Sequence, residues 1–341
     1  MEDSMFRVDI GMDLGTSSIA IYMRDKGIVI RQPSVIAVER KTRKIIAVGA
    51  KAKRMTGRTL EGIDVISPIR RGVISDYTMA ERMIRAFYKN ALKRKKIWGR
   101  PNVCVTVPMG ITEVQKRAVE DAITRTGARN MFLIEYPLAA ALGAGIDIME
   151  TKGRLVIDIG GGTTDVAMIS AGSIACGESV PIAGDDFTDA IIRYVRRKYN
   201  VELGPLSAED GKIEVASVIQ RANDNFYEVK GKNLVNGLPA RVELSGNETA
   251  EALEEITGQL LDCISHVIET APPELAGDAT ISGILLSGGG SRLSGMAKRI
   301  EKHTGIHVIQ ADEPENAAAA GAGHAGELIM VREEENRSEN D

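Results

Sequence analysis

Asp158-Ile159-Gly160-Gly161-Gly162-Thr163-Thr164-Asp165 and, in the other half of the chain, Asp13-Leu14-Gly15-Thr16-Ser17-Ser18 are two glycine-rich turns, each opened by an aspartate. Each follows an apolar run (Phe6 to Met12; Leu155 to Ile157) and precedes another (Ile19 to Met23; Val166 to Ile169), so each reads as a tight turn between two strands. Glycines let backbone N–H groups approach a ligand closely and hydroxyls add donors, and such a nest of donors suits phosphate. An aspartate repels phosphate; it makes sense there as an anchor for Mg²⁺, usually through water, with the phosphates completing the shell. One such turn would carry little weight, because most Gly-Thr turns are only hairpins. Two with the same order of parts, in matching places, point to a duplicated fold that clamps one nucleotide between its halves.

Working outward, residues 6–38 give strand, turn, strand, a turn at Gly27, strand, and residues 154–176 repeat that order with Gly172 in the turn. Strand meanders followed by helical stretches predict a mixed α/β architecture. In the first half, a basic insertion from Ser34 to Gly72 precedes a helix capped by Asp76 and running from Met79 to about Lys93. A buried strand, Val103 to Val107, comes next, and Thr112 with Gln115 makes a capping box for a helix. A short strand, Met131 to Ile134, then leads into an alanine-rich helix started by Pro137. In the second half a helix from Phe187 to Tyr199 precedes an insertion, 201–244, and a long helix from Glu248 to Ala271 ended by Pro272-Pro273. Ile281 to Leu286 reads as a strand opening into Ser287-Gly288-Gly289-Gly290-Ser291, followed by a helix from Leu293 and a closing helix from Pro314 to Ile329.

The bulk numbers narrow the function. A chain of 341 residues has room for two domains, and 43% hydrophobic with 26% charged residues is a globular composition. A net charge of −4 gives no reason to expect nucleic acid as a partner. Cys104, Cys176 and Cys263 stand far apart in apolar segments and read as buried thiols of a reducing compartment. No apolar run approaches a membrane span, the N-terminus lacks the pattern of a secretory signal, and the acid-rich tail 331–341 reads as disordered. His266, His303, His307 and His324 show no ligand spacing, the charges from Lys41 to Arg58 read as a solvated face, and Asp9 reads as structural.

With these segments in order, the chain resembles the actin-like ATPase superfamily, and within it the MreB family of bacterial actins. Beyond the two turns, the likeness is carried by Thr112-Glu113-Val114 with Lys116-Arg117-Ala118, Ile134-Glu135 before Pro137-Leu138-Ala139-Ala140-Ala141, and Ile182-Ala183-Gly184-Asp185. Tyr194-Val195-Arg196-Arg197-Lys198-Tyr199, Gly237-Leu238-Pro239 and Pro272-Pro273-Glu274-Leu275 add to it. The resemblance implies two similar sheet-and-helix domains around a nucleotide cleft, each with a small inserted subdomain. It divides the chain into domain IA (6–33, 74–145 and 314–330), subdomain IB (34–73), domain IIA (146–182 and 245–313) and subdomain IIB (183–244).

Carried over by position, Gly15, Thr16, Ser17 and Ser18 would cradle the terminal phosphates of ATP from one side, and Gly160, Gly161, Gly162 and Thr163 from the other, with Gly184 nearby. Asp13 and Asp158 would hold hydrated Mg²⁺. Glu209 and Lys212, on one helix face, match the pair that holds ribose and base, although Gly211 between them is a poor helix residue. Gly288, Gly289, Gly290, Ser291 and Arg292 match the adenine-side turn.

One departure matters. The residue before the proline matching Pro137 is commonly a glutamate that orients the attacking water; here it is Tyr136, and Glu135 leaves the backbone in another direction. A phenol is a poor base at neutral pH, and loss of an acid–base group typically costs about 10²–10⁴ in rate. The expectation is retained ATP binding with hydrolysis slowed, or reliant on Thr163 and Asp158 with metal-bound water; the bland alternative is a neutral replacement in a family with slow turnover.

The stretch Lys93-Arg94-Lys95-Lys96-Ile97-Trp98 puts four consecutive basic residues before an Ile-Trp pair, which suits an anionic bilayer surface, whereas an ordinary solvated loop is the plainer alternative. The family places a membrane-touching loop here, so Ile97 and Trp98 are the expected membrane contacts. From the resemblance come self-association into head-to-tail filaments of paired protofilaments, a place at the cytoplasmic face of the cell membrane, and cell-wall elongation proteins as partners. A chaperone-type ATPase lacks its substrate domain here, a small-molecule kinase lacks an evident acceptor-side base, and an actin-like assembly factor that binds ATP without polymerising remains the competing reading.

Overall fold

The computed structural model describes residues 8–59, 61–95, 100–326 and 328–329. In the first half, strands β1 (Ile10–Leu14), β2 (Ser18–Met23) and β3 (Gly27–Pro33) form an antiparallel meander. There follow β4 (Ile36–Glu39), β5 (Ile45–Val48), α1 (Ala50–Lys53), β6 (Ile63–Ile66), β7 (Ile69–Arg70), β8 (Val73–Ile74), α2 (Tyr77–Lys95), β9 (Val103–Val107), α3 (Glu113–Thr124), β10 (Met131–Glu135) and α4 (Tyr136–Gly143). The second half contains β11 (Arg154–Ile159), β12 (Thr164–Ser170), β13 (Ser173–Val180), α5 (Gly184–Tyr199), β14 (Val201–Leu203), α6 (Pro205–Val215), β15 (Phe226–Asn233) and β16 (Pro239–Ser245). It closes with α7 (Gly246–Thr270), α8 (Pro273–Ser282), β17 (Ile284–Ser287), α9 (Met296–Thr304), β18 (Val308–Gln310) and α10 (Pro314–His324).

Two five-stranded sheets result, ordered β10-β9-β1-β2-β3 and β13-β12-β11-β17-β18. They have the same plan: an antiparallel meander extended by two parallel strands, β9 and β10 on β1, β17 and β18 on β11. The duplication expected from the two turns is therefore present strand for strand. Small three-stranded sheets, β5-β4-β6 and β14-β15-β16, project from the two halves.

Helices α4 and α10 lie between the sheets. Their alanines, Ala139 to Ala141 with Ala317, Ala318 and Ala322, share one core with Cys104 and Ile134 of the first sheet and Val156, Ala167, Ile169 and Leu285 of the second. Small residues let two helices fit in this layer: a Cβ at Gly321 would stand 1.7 Å from the Ala139 carbonyl oxygen, and one at Gly143 1.9 Å from that of Ala317. The larger side chains fill the two outer cores, among them Met12, Met83 and Tyr88 in one and Phe187, Leu253 and Ile264 in the other.

The local expectations hold where their signals are local. Asp76 Oδ1 accepts the Met79 N–H at 3.1 Å, and the Thr112–Gln115 capping box closes in both directions. Three readings need correction. The segment around Ile281 is the end of α8, and the strand begins at Ile284. Pro272-Pro273 does end α7, but Pro273 also opens α8, since proline's fixed φ suits the first position of a helix. The helix after Arg292 begins at Met296, because Gly289–Arg292 is first wound as a short 3-10 turn.

Candidate functional site

A cavity of about 600 Å³ opens between the two sheets, where β1 and β11 end. Its wall brings together Asp13, Gly15, Thr16, Ser17 and Ser18 from one turn and Asp158, Gly160, Gly161, Gly162 and Thr163 from the other. Gly184, Glu209, Lys212, Gly288, Gly289, Gly290, Arg292 and Tyr136 complete the set expected from sequence. Ser291 is the exception: it is buried behind its turn, where its hydroxyl donates to the Gly288 carbonyl at 2.7 Å. Arg31, Gly72 and Glu315 also line the cavity. They sit in stretches without a motif, so only the folded chain places them there.

The two glycine turns meet face to face. A Cβ at Gly161 would lie 2.1 Å from Ser17 Oγ, and one at Gly162 2.4 Å from Thr16 Oγ1. Glycine is needed here because no side chain fits between the jaws. The Gly72 N–H donates to Thr16 Oγ1 at 2.8 Å, while Ser17 Oγ donates across the cleft to Asp185 Oδ1 at 3.4 Å. Helix α5 begins at Gly184, and the N–H groups of Gly184 and Asp185 donate to the carbonyls of Gly160 and Gly161 at 3.1 and 2.8 Å. The positive end of a 16-residue helix is thus aimed at the second turn.

Carboxylates form the floor. Asp13 Oδ1 accepts from the Tyr136 hydroxyl at 2.9 Å and from Thr106 Oγ1 at 3.2 Å. Burial pushes the Asp13 carboxyl up to about 6 against the pull of those two donors and of Arg31. Asp158 is buried, and its Oδ1 has no hydrogen-bond partner among the described residues. Burial, followed by the charges of Asp165 and Asp13, pushes it up to about 8. Asp165 stands opposite Asp158 in the β11–β12 ladder, accepts the Met109 N–H at 2.9 Å across the cleft, and is raised by burial to about 6.

An orphaned buried carboxylate oxygen beside a second carboxylate is the donor chemistry of a hard divalent cation. No group of three or more His, Cys, Asp or Glu side chains among the described residues makes a metal cage. Mg²⁺ typically takes one or two carboxylates and leaves the rest of its shell to water and phosphate, which is what Asp13 and Asp158 beside the two turns offer. The residues present therefore fit both groups expected from the sequence.

Tyr136 is the first residue of α4 and is buried, with Glu135 at the N-cap and off the cavity wall. Burial and the neighbouring Asp13 raise its phenol well above 10, so at neutral pH it is a hydrogen-bond donor. Its proton is committed to Asp13. On the other side, Lys212 Nζ donates to the Gly184 carbonyl at 2.7 Å and pairs with Glu209 at 2.8 Å. Gly211, the helix glycine between them, faces β15: a Cβ there would lie 2.7 Å from Val229 Cγ1. Close packing, not helix propensity, explains that residue. At the rim, Glu315 of α10 holds Arg31 at 3.0 Å and Arg292 at 2.7 Å; against burial, which raises it, its own backbone N–H and then these two arginines keep its carboxyl low.

Asp9 Oδ2 accepts the Asn102 N–H at 2.9 Å, away from the cavity wall, which is the structural part expected of it. Ile97 and Trp98, expected to touch a membrane, and the tail 331–341 lie outside the described residues. Among those described, no helix is long and apolar enough to cross a membrane.

Comparison with known proteins bears on the same architecture. A family model described as MreB/Mbl protein matches residues 7–334. The chain is 40% identical over 329 residues to the cell shape-determining protein MreB of Escherichia coli (strain K12), covering 95% of each chain. It is 39% identical over 319 residues to the cell shape-determining protein Mbl of Bacillus cereus, covering 94% of this chain and 96% of the relative. The crystal structure of MreB5 of Spiroplasma citri bound to ADP superposes with a TM-score of 0.89 at 33% identity, over 95% of this chain and 98% of that one. A second MreB5 structure, bound to AMPPNP, gives 0.88 over 96% and 98%.

Proposed function

The chain belongs to the MreB/Mbl family, and on that premise we propose that it is an ATP-binding actin homologue that polymerises and takes part in determining cell shape. The observation that carries this reading is the cavity itself: two donor-rich turns from duplicated halves facing each other over Asp13 and Asp158. MreB5, crystallised with ADP and with AMPPNP, supports a nucleotide as the ligand. Gly15 to Ser18 and Gly160 to Thr163 would hold the phosphates, Asp13 and Asp158 would hold hydrated Mg²⁺, and Gly184 would lie beside them. Glu209 with Lys212, and Gly288 to Arg292, flank ribose and base. Bound Mg²⁺ supplies the positive charge that lets carboxylates and phosphates share one site. The proposed divisions are 6–33, 74–145 and 314–330 (IA), 34–73 (IB), 146–182 and 245–313 (IIA) and 183–244 (IIB).

Hydrolysis is slowed in this reading. The group at the water-orienting position is Tyr136, whose hydroxyl donates to Asp13. Its role is to hold that carboxylate in place and in its charged form, while Thr163 is the remaining hydroxyl of the second turn. The same bond favours a second reading, an assembly factor that binds nucleotide without polymerising. In the favoured reading the filaments are head-to-tail and paired, lie on the cytoplasmic face of an anionic membrane through Ile97 and Trp98, and organise cell-wall elongation proteins.

Sedimentation and electron microscopy with ATP, ADP and AMPPNP, with and without anionic liposomes, test this. Polymer with ATP or AMPPNP, enriched on liposomes, is expected. Tight nucleotide binding with no polymer in any state would favour the assembly factor, and no Mg²⁺-dependent nucleotide binding would overturn both.

A further inference from the structure

Asp13 on β1, Ala20 on β2 and Arg31 on β3 form one row across the first sheet, Asp13 paired with Ala20 and Ala20 with Arg31. Residues in one cross-strand row share a face of the sheet, so Arg31 points to the side on which Asp13 forms the cavity floor. Two strand spacings, about 10 Å, separate their backbones. The residue between them in the row is Ala20, a buried methyl, and a long arginine side chain can pass over it where a larger residue would block the way. Arg31 lines the cavity, and its charge is already among the influences that draw the Asp13 carboxyl down against burial.

Among the described residues, the cations on the cavity wall are Arg31, Lys212, Arg221 and Arg292. Lys212 Nζ is committed to the Gly184 carbonyl and to Glu209. Arg221 lies by the start of α7, where a Cβ at Gly246 would stand 3.8 Å from its Nη1. Arg31 and Arg292 share Glu315, but not the same oxygen: Arg31 Nη1 stands 3.0 Å from Oε1, and Arg292 Nε 2.7 Å from Oε2. The Arg31 side chain is 41% exposed, and a pair of this kind at the surface is weak. When Arg31 moves away, Glu315 keeps Arg292, and water at the rim takes Oε1.

A nucleotide polyphosphate brings more negative charge than one Mg²⁺ offsets, onto a floor that already holds two carboxylates. We propose that Arg31 supplies the missing positive charge: its guanidinium leaves Glu315 and binds the polyphosphate, while Arg292 keeps the carboxylate. Guanidinium N–H groups match phosphate oxygens in a two-pronged, charge-assisted contact. Glu315 is then a competitor for Arg31, and the fraction of molecules with Arg31 on Glu315 lowers the apparent affinity for nucleotide. The inference rests on the nucleotide reading and adds to it a binding residue from β3, a strand without a phosphate motif.

Isothermal titration calorimetry with Mg·ADP on the full chain tests this. Arg31→Met keeps much of the length and removes the charge, and affinity should fall about tenfold to a hundredfold, the worth of a hydrogen bond to a charged group. Glu315→Gln should act in the opposite direction, tightening binding about two- to fivefold as the competitor is removed. The double variant should bind like Arg31→Met, and without Arg31 affinity should depend less steeply on salt. Arg31→Met at wild-type affinity would overturn the proposal. So would Glu315→Gln weakening binding in parallel with Arg31→Met, the mark of an ion pair that only braces the cavity. A gain from Glu315→Gln that persists in the double variant would belong to the carboxylate's own field and would also overturn it. Should Arg31→Met fail to fold, the sign of the Glu315→Gln effect decides alone. A wild-type protein that does not bind Mg·ADP would overturn the nucleotide reading together with this one.

Discussion

Replacing Tyr136 with glutamate puts a carboxylate at the position that the proposed reading gives to the water-orienting group, and the structure says what that exchange does. The phenol gives Asp13 its 2.9 Å hydrogen bond, leaving only Thr106 at 3.2 Å when it is removed. A hydrogen bond to a charged group is worth about 1.5–3 kcal/mol. The new carboxylate also joins Asp13 and Asp158 on one floor, and two like charges about 4 Å apart repel by roughly 4 kcal/mol at an effective dielectric of 20. Together these destabilise the cation-free protein by on the order of 5 kcal/mol, less whatever protonation relieves. Chemical denaturation in EDTA at pH 8 reads that loss, which should shrink at pH 5. With Mg²⁺ and ATP present, phosphate release should rise by about 10²–10⁴ over the wild type. Tyr136→Phe separates the effects: it removes the hydrogen bond without adding a base, so stability and Mg²⁺-dependent affinity change but the rate does not rise. If Tyr136→Glu binds ATP and releases phosphate at the wild-type rate, the reasoning that links Tyr136 to slow turnover is wrong.

Three further perturbations probe the site and its frame. Asp158 is raised to about 8 from 3.8, so the folded chain holds its proton more tightly than the unfolded one; that stabilisation is full below about pH 4 and is lost as pH rises towards 8. Asp158→Asn cannot ionise, so in EDTA its unfolding free energy should gain on the wild type by several kcal/mol between pH 4 and pH 8, and parallel pH profiles would contradict this. Gly161→Ala places a methyl 2.1 Å from Ser17 Oγ and forces the jaws apart, so nucleotide affinity should fall at least about tenfold, read by fluorescence titration, with little change in urea stability. Gly321→Ala drives a methyl to 1.7 Å from the Ala139 carbonyl in the α4–α10 layer; a loss of about 3 kcal/mol or more is expected in urea, with soluble protein of wild-type stability as the contrary result.

Legibility in the sequence followed the range of the interaction. The turns at Asp13 and Asp158, the Thr112 cap and the Asp76 cap depend on neighbours within a few residues, so their residue types announce them. Helix α8 was missed because Pro272-Pro273 was read only as a stop. Gly211 looked unfavourable by propensity, yet it is a contact residue of β15, a strand that begins fifteen positions later. Arg31 and Glu315 carry no motif at all and become partners only when β3 and the start of α10 converge.

What the sequence determined by itself was the repetition: two turns of the same build within two strand meanders, hence a duplicated fold whose two turns face one ligand between its halves. It determined this because glycine conformation, strand alternation and proximity to phosphate are local properties. Tertiary structure alone decided where the ionisable groups end up relative to each other. Tyr136 reaches Asp13 across 123 positions of chain, Asp165 reaches Met109 across the cleft, and Asp158 is left with an unpaired buried oxygen. Burial and charge depend on everything packed around a group, and no single stretch of the chain contains its own surroundings.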